Sequence, residues 1–482
     1  MVIILNGGIV KVKADVPQVI NLKNQLLPLN TTEAGNGYED LDKLQVILKD
    51  KKVVAMGEAT HGTKEFFQMK DRMFEFLVEK MGYRLFAIEG EFGSAQDVNN
   101  YILNGIGNAN DAVKSMGFWT WSTEEVVNMI EWMRNYNKDQ AHISKVKFYG
   151  IDMQSADKIT PRVMEYITKV DINSLSEFGK TLLDVNNNSR INSFSKDKLT
   201  NVKKDTEELL NMFKNNKENY IEKSSISEYE MIYQDLNVIN QFVEYTTLIK
   251  DADWKKTADT REFYMAQNVK WILDYEKQFG NDKIMLWAHN GHVSKKFPNY
   301  KSMGENLKEI FNDKLYVIGF DFYEGSFRAN PSDDKGNLLS SEIAKFNVDK
   351  SDINTLAGSF EKTGIPLSFM DFKSASEDKD VAAWLSQPQL THTIGAGYNG
   401  YINQWMLPEV PIDSYDGLIF VKKTSAAIGI NGYETTINDG DNFIKNYYRN
   451  MSIASIAILV SIIIFIILIS VYIYKKIKRR RM

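Results

Sequence analysis

The sequence predicts an α/β protein: a mostly parallel central sheet flanked by helices, a helical cap or side bundle, and one C-terminal transmembrane helix. Three observations predict it. Short apolar, β-branched runs alternate with stretches of helical periodicity, the pattern of βαβ units and hence of parallel strands. Residues 155–280 carry helical patterning without such runs. Residues 452–474 hold 23 positions without a charge, most of them aliphatic.

The elements follow in order. Residues 1–37 read as an irregular lead-in, and the front, MVIILNGGIVKVKADVP, has a short Gly-interrupted apolar run without a basic n-region. That suits a truncated signal segment. Lys51–Gly57 (KKVVAMG) is the first buried strand. A helix is expected over Thr63–Lys80, where Phe66, Phe67, Met69, Met73, Phe74, Phe76, Leu77 and Val78 keep mostly helical spacing. Arg84–Ile88 is the next strand. Val146–Ile151, Lys283–Ala288, Lys314–Phe320 and Gly417–Val421 complete the set. The helical part, 155–280, contains the charged run Lys196–Lys223 and the amphipathic region Tyr229–Ile249. Residues 38–427 form the body. A polar, Gly- and Asn-rich linker follows over 428–450, then the span 452–474 and a basic tail, 475–482. No internal repeat is visible.

At 482 residues, with 43% hydrophobic and 25% charged positions, the chain has the composition of a globular protein and not of a disordered one. The absence of cysteine excludes disulfides, thiolate metal sites and cysteine nucleophiles. The formal charge of −5 is unevenly spread: six Lys or Arg residues fall in the last eight positions, leaving −11 on everything before them. No global basic field attracts nucleic acid. A helix of the 23 uncharged residues is about 35 Å long, enough for a bilayer. The basic tail then places the C-terminus in the cytoplasm and the body outside, so a single-pass membrane protein is expected. A tail anchor with a cytoplasmic body is the other topology.

Ligands of open parallel sheets bind beyond the carboxyl ends of the strands. The first strand is followed by Gly57-Glu58-Ala59-Thr60-His61-Gly62, the second by Glu89 and Glu91, the third by Asp152 and Gln154. The fourth is followed by His289-Asn290-Gly291-His292, the fifth by Asp321 and Glu324. Three of the five histidines thus stand at strand ends, on a cleft they share with several carboxylates. Each has a plainer alternative: Glu58 as a carboxylate at a helix start, His61 as a loop cap, Glu89 and Asp152 as structural partners, one of His289 and His292 as a turn residue. His142 reads as surface, and His392 stays open. Two chemistries suit the cleft: water activated by a histidine that a carboxylate orients, or a metal held by E-x-x-H and H-x-x-H. H-E-x-x-H, G-x-S-x-G and a P-loop are all absent.

The segment GEATHGTKEFFQMKDRMFEFLVEKMGYRLFAIEG resembles the erythromycin esterase family. So do FYGIDMQ (148–154), TREFYMAQNVKW (260–271), LWAHNGHV (286–293), GFDFYEGSF (319–327), WLSQP (384–388), IGAGY (394–398) and DGLIFVKKTSAA (416–427). The resemblance covers roughly residues 38–427. It implies an α/β core with a helical part over the cleft, and hydrolysis of a carboxylic ester or macrolactone. By that resemblance the catalytic set is Glu58, His61, Glu89, His289 and His292, with Arg261 and Glu262 in the R-[DE]-x-x-M-A-x-N stretch. The family's basic residue nine positions after the first histidine falls on Lys70, where some members carry Arg; a bidentate donor becomes a point charge. Lys70, Trp119, Trp121, Arg261 and Tyr398 are expected to meet the substrate, although the three aromatic residues equally suit core packing.

The resemblance implies no cofactor and no metal, and a small-molecule ester or macrolactone as partner. The expected mechanism has His61 taking a proton from water, Glu58 orienting it, Glu89 orienting a further group, and His289 or His292 with Lys70 or Arg261 stabilising the oxyanion. A metal-dependent hydrolase on the same cleft, and a membrane-anchored binding protein without macrolide activity, are the alternatives. The membrane span departs from the family's resistance enzymes, which act in the cytoplasm, so the resemblance supports a hydrolase better than macrolide resistance.

Overall fold

The computed structural model describes residues 19–452, apart from Asn431. Its strands, in chain order, are β1 (Leu27–Pro28), β2 (Val53–Met56), β3 (Leu85–Glu91), β4 (Lys147–Asp152), β5 (Ile284–Trp287) and β6 (Leu315–Pro331). There follow β7 (Ile343–Val348), β8 (Leu367–Asp371), β9 (Gln389–His392), β10 (Gly397–Tyr398), β11 (Met406–Glu409), β12 (Gly417–Thr424) and β13 (Thr435–Ile437). The six expected strands are β2 to β6 and β12, and the expected helix is Lys64–Met81. That helix ends on Gly82, whose φ of 73° is the left-handed conformation that glycine adopts without strain.

The main sheet runs β1-β8-β12-β6-β2-β5-β3-β4. Its centre, from β12 to β4, is parallel. Strand β8 is antiparallel to both β12 and β1, and β7 is antiparallel to β6. The sheet is therefore mixed, which corrects the expectation of a mostly parallel one. The physical reason is position and burial. β8 and β7 both lie outside the parallel centre and keep partly exposed positions, so neither has the unbroken apolar run that marks a strand buried on both faces. β2 and β5 are such runs: VVAM and IMLW are buried at every position.

Two apolar clusters cover the two faces. One joins the sheet to the helical part, through Ile151, Val163, Leu182, Leu236, Phe242, Met265 and Val269. The other packs Phe66, Phe67, Met73 and Phe74 of the Lys64–Met81 helix on Val54, Met56, Phe86, Trp287 and Phe320. The helical part contains two long antiparallel neighbours, Ile226–Asp251 and Trp254–Glu276. A buried amide cluster ties the second to the sheet. Asn268 donates to the Ile151 carbonyl at 3.0 Å and to Gln241 at 3.0 Å, while Gln234 and Gln241 donate to it at 2.9 and 3.1 Å. Unpaired, each of these groups would cost about 1–3 kcal/mol. The cluster fixes the register of this helix against β4, and hence the position of Arg261 and Glu262 two turns earlier.

The stretch 428–450, expected as a linker, contains β13, which pairs with β7, and a bridge between Gly429 and Thr123. The lead-in 1–37 is described only from residue 19. The expected span 452–474 lies outside the described residues except for Ser452, and the tail 475–482 lies outside them entirely. Among the described residues, no helix is long and apolar enough to cross a membrane. The single-pass membrane localisation expected from the sequence is corrected accordingly: it is not supported, and neither is the expected membrane partner.

Candidate active site

The loop after β2 is held on both sides. Gly57 donates to the Ile318 carbonyl at 2.8 Å, Asn290 to that of Glu58 at 2.9 Å, Ile394 to that of Ala59 at 2.8 Å, and Arg328 to that of Gly62 at 3.1 Å. Both glycines are required by close approach: a Cβ on Gly57 would collide with the Asn290 amide, and one on Gly62 with the backbone of Arg328. Glu58 and His61 therefore sit on a segment with no slack.

Glu58 is fully buried and accepts three hydrogen bonds. Oε1 meets His61 Nδ1 at 2.7 Å. Oε2 accepts from the indole of Trp287 at 2.8 Å and from the Lys70 ammonium. Lys70 is itself without exposure, and its Nζ lies 4.6 Å from the Trp287 ring centroid and 5.3 Å from that of Phe320. Burial brings the Lys70 ammonium down to about 8, although Glu58 opposes the shift. With Nδ1 donating to the carboxylate, His61 has an Nε2 for which the described residues provide no partner. Its side chain is 10% exposed, so that nitrogen faces the opening of the site. The Trp121 ring meets the imidazole edge-on at 5.7 Å and fixes its tilt.

A second network starts at Glu89, at the end of β3. Its Oε1 accepts from Arg261 Nη2 at 3.0 Å and from His292 Nε2 at 2.9 Å; Oε2 accepts from the His289 backbone at 3.0 Å. Burial would raise this carboxyl, but His292, His61 and Arg261 outweigh it and hold Glu89 well below the usual carboxylate range. His292 is clamped from the other side by Glu262, Nδ1 to Oε1 at 2.6 Å. Burial opposes its charge, yet Glu262 and Glu89 lift the imidazolium to about 10. Both its ring nitrogens are committed donors at neutral pH. Glu262 in turn accepts the Met303 backbone N–H at 2.8 Å. Arg261 also grips Asp152, with Nη2 at 2.6 Å and Nε at 3.2 Å. Burial and the charge of Asp152 push the neighbouring Glu91 carboxyl well up.

His289 lies between the two networks, its ring 4.9 Å from that of His61 and 6.4 Å from that of His292. Its Nδ1 accepts from the Gly291 backbone at 3.2 Å, which leaves Nε2 to carry the proton and donate to the Ile394 carbonyl at 3.1 Å. Burial and two neighbouring histidines keep it well below the ordinary imidazole value, hence neutral.

The structure thus brings together Glu58, His61, Glu89, His289, His292 and Arg261. It places Lys70 behind Glu58, in the interior, with no surface to offer a ligand. Trp121, 2% exposed, donates to the Glu89 carbonyl at 2.8 Å and packs on Trp287. Tyr398, also 2% exposed, packs with Phe327, Phe346 and Trp405. Trp119 is half-buried, and the Arg328 guanidinium lies 5.5 Å from its ring centroid. Two participants were missed by sequence reasoning as partners of the site. Trp287 ends an apolar run and reads as core, but its indole N–H reaches Glu58. Glu262 was visible only as a neighbour of Arg261. Among the described residues, no three His, Asp or Glu side chains are arranged to hold a metal ion.

A family model described as "Erythromycin esterase" matches residues 78–424, which include Glu89, Arg261, His289 and His292 and begin after the Glu58–His61 loop. The Escherichia coli protein "Erythromycin esterase type II" is 25% identical over 394 residues, 74% of this chain and 89% of its own length. The YbfO protein of Bacillus subtilis (strain 168) is 25% identical over 435 residues, 83% of this chain and 90% of its own. A crystal structure of a Bacillus cereus protein has the same fold, with a TM-score of 0.75 at 24% identity, over 85% of this chain and 97% of that one.

Proposed function

The chain belongs to the erythromycin esterase family, and on that premise we propose that it is a hydrolase that cleaves a carboxylic ester or macrolactone with histidine-activated water. The observation that carries this reading is the Glu58–His61 dyad with its open Nε2. A general base needs a free nitrogen, a fixed tautomer and access to water. His61 combines all three, because Glu58 binds Nδ1–H and leaves Nε2 at the opening.

In this reading a water at Nε2 gives up its proton and attacks the ester carbonyl. Glu58 stabilises the imidazolium that forms, as the carboxylate of a hydrolytic triad does. Lys70 and Trp287 hold Glu58 from behind. Arg261 supplies the positive charge for the oxyanion. Its Nε and Nη2 are bound by Asp152 and Glu89, while Nη1 has no partner among the described residues and its side chain is 16% exposed. Glu89 and His292 position Arg261 and transfer no proton in the reaction. His289 keeps a neutral, fixed wall beside His61. The domain that does this is residues 38–427. Trp119, at the half-buried edge, is the one aromatic residue of the expected lining with surface to offer a substrate.

The test is hydrolysis of erythromycin and a small set of other esters and lactones, followed by mass spectrometry. Addition of one water to a substrate, lost in His61→Ala, is the expected result. Turnover that is unchanged in His61→Ala excludes the mechanism.

A further inference from the structure

The fifth histidine that the sequence left open has a defined environment. His392, the last residue of β9, is 1% exposed. Its Nδ1 meets Asp321 Oδ1 at 2.7 Å. Asp321 is fully buried on β6, and the Phe322 backbone N–H binds the same oxygen at 2.9 Å; its Oδ2 has no partner. The Phe322 ring stacks on the imidazole at 4.4 Å and 28°, which fixes its plane. On the far side, His392 Nε2 stands 3.3 Å from Ser351 Oγ. Ser351 is half-buried and begins an exposed loop, 352–354. Its backbone N–H and its hydroxyl both point to the Tyr323 carbonyl, at 2.9 and 2.8 Å.

We propose that Asp321, His392 and Ser351 form a second, serine-dependent acyl-transfer site that acts on small carboxylic esters. A hydroxyl, an imidazole and a buried carboxylate in this order define the nucleophile, base and orienting group of covalent ester hydrolysis, and they are recognised by geometry and not by sequence motif. Neither Ser351 nor His392 belongs to the Glu58–His61 site. Asp321 binds the Nδ1 proton, so Nε2 is left as the acceptor. The Ser351 hydroxyl proton can turn from the Tyr323 carbonyl to Nε2 about the Cβ–Oγ bond, without movement of any heavy atom. The 3.3 Å separation is the loose distance usual before a substrate is bound. The backbone N–H of Asp352, directly after Ser351, has no protein acceptor among the described residues and is free to donate to an oxyanion. Because His392 is recessed, only a short acyl group reaches Oγ.

The step balances without a co-reactant. Oγ forms a bond to the acyl carbon, and the ester C–O bond breaks. The hydroxyl proton passes through His392 Nε2 to the leaving alkoxide. Water then repeats the sequence on the acyl-serine, so that ester and water become acid and alcohol.

The experiment is covalent labelling of the full chain with an alkyl fluorophosphonate, read by intact mass and peptide mapping. One adduct on Ser351 is expected in the wild type, none there in Ser351→Ala, and labelling slowed by about 100-fold in His392→Gln, the scale of general-base assistance. His61→Ala should label as fast as the wild type, which separates this proposal from the reading of the first site. No Ser351 adduct in folded wild-type protein overturns the proposal, and this result needs no variant. Labelling of His392→Gln at the wild-type rate also overturns it.

Discussion

His292 is the residue whose environment makes the most quantitative prediction. In the unfolded chain its imidazole has an ordinary value of 6.5; folded between Glu89 and Glu262 it is lifted to about 10. A folded value above the unfolded one means that the native state holds the proton more tightly. The stabilisation is complete below 6.5 and is lost as pH rises through 10. The shift corresponds to about 5 kcal/mol, at roughly 1.4 kcal/mol per unit, and its burial leaves little solvent to screen it. Stability should therefore fall by about 1.4 kcal/mol per pH unit across that window from this group alone. His292→Gln retains an amide donor but cannot titrate. Urea unfolding of wild type and variant at several pH values isolates the effect, because groups not coupled to residue 292 cancel in the difference. The wild type should be the more stable by several kcal/mol at pH 6.5, with the gap closing towards pH 10. A gap that stays constant across this window would refute the claim that folded His292 holds its proton through neutral pH.

Three further substitutions probe the first site. Trp287→Phe keeps the ring but removes the N–H that Glu58 accepts at 2.8 Å; a hydrogen bond to a charged group is worth about 1.5–3 kcal/mol, so kcat should drop roughly 10- to 100-fold with KM little changed. Lys70→Ala leaves a buried carboxylate without its cation and should destabilise by about 3–5 kcal/mol, read as a lower urea midpoint. Gly62→Ala drives a methyl into the Arg328 backbone; it should abolish turnover by displacing His61 and lower stability by about 1–3 kcal/mol, the usual scale of overpacking.

The sequence made some of this site legible and hid the rest for identifiable reasons. Glu58, His61, Glu89, His289 and His292 stood out because a polar side chain directly after a buried apolar strand has few places to go. Trp287 did not, because an indole in the run IMLW satisfies the pattern of a core strand whether or not its N–H has a partner. Lys70 was expected to meet the substrate, and nothing local says that this turn instead faces Glu58 in the interior. The parallel strands of the centre were visible as apolar runs. β7 and β8 were not, since their pairing is decided by neighbours far away in the chain, and with them the mixed character of the sheet was missed. His392 could not be read at all, because Asp321 and Ser351 approach it from two separate segments.

Three histidines within one site have been given three different chemistries by their neighbours alone. His292, between two carboxylates, holds its proton through neutral pH and cannot serve as a base there. His289, buried beside two other imidazoles, is neutral, and its one N–H is spent on the Ile394 carbonyl. His61 has one carboxylate on one nitrogen and the opening of the site on the other. Separation of titratable groups by environment is how acid and base roles are assigned at a fixed pH. Here it leaves one candidate for the base, and it does so by elimination on hydrogen bonds. A substrate that reached His289 or His292 would first have to break an existing bond to the protein; one that reached His61 would not.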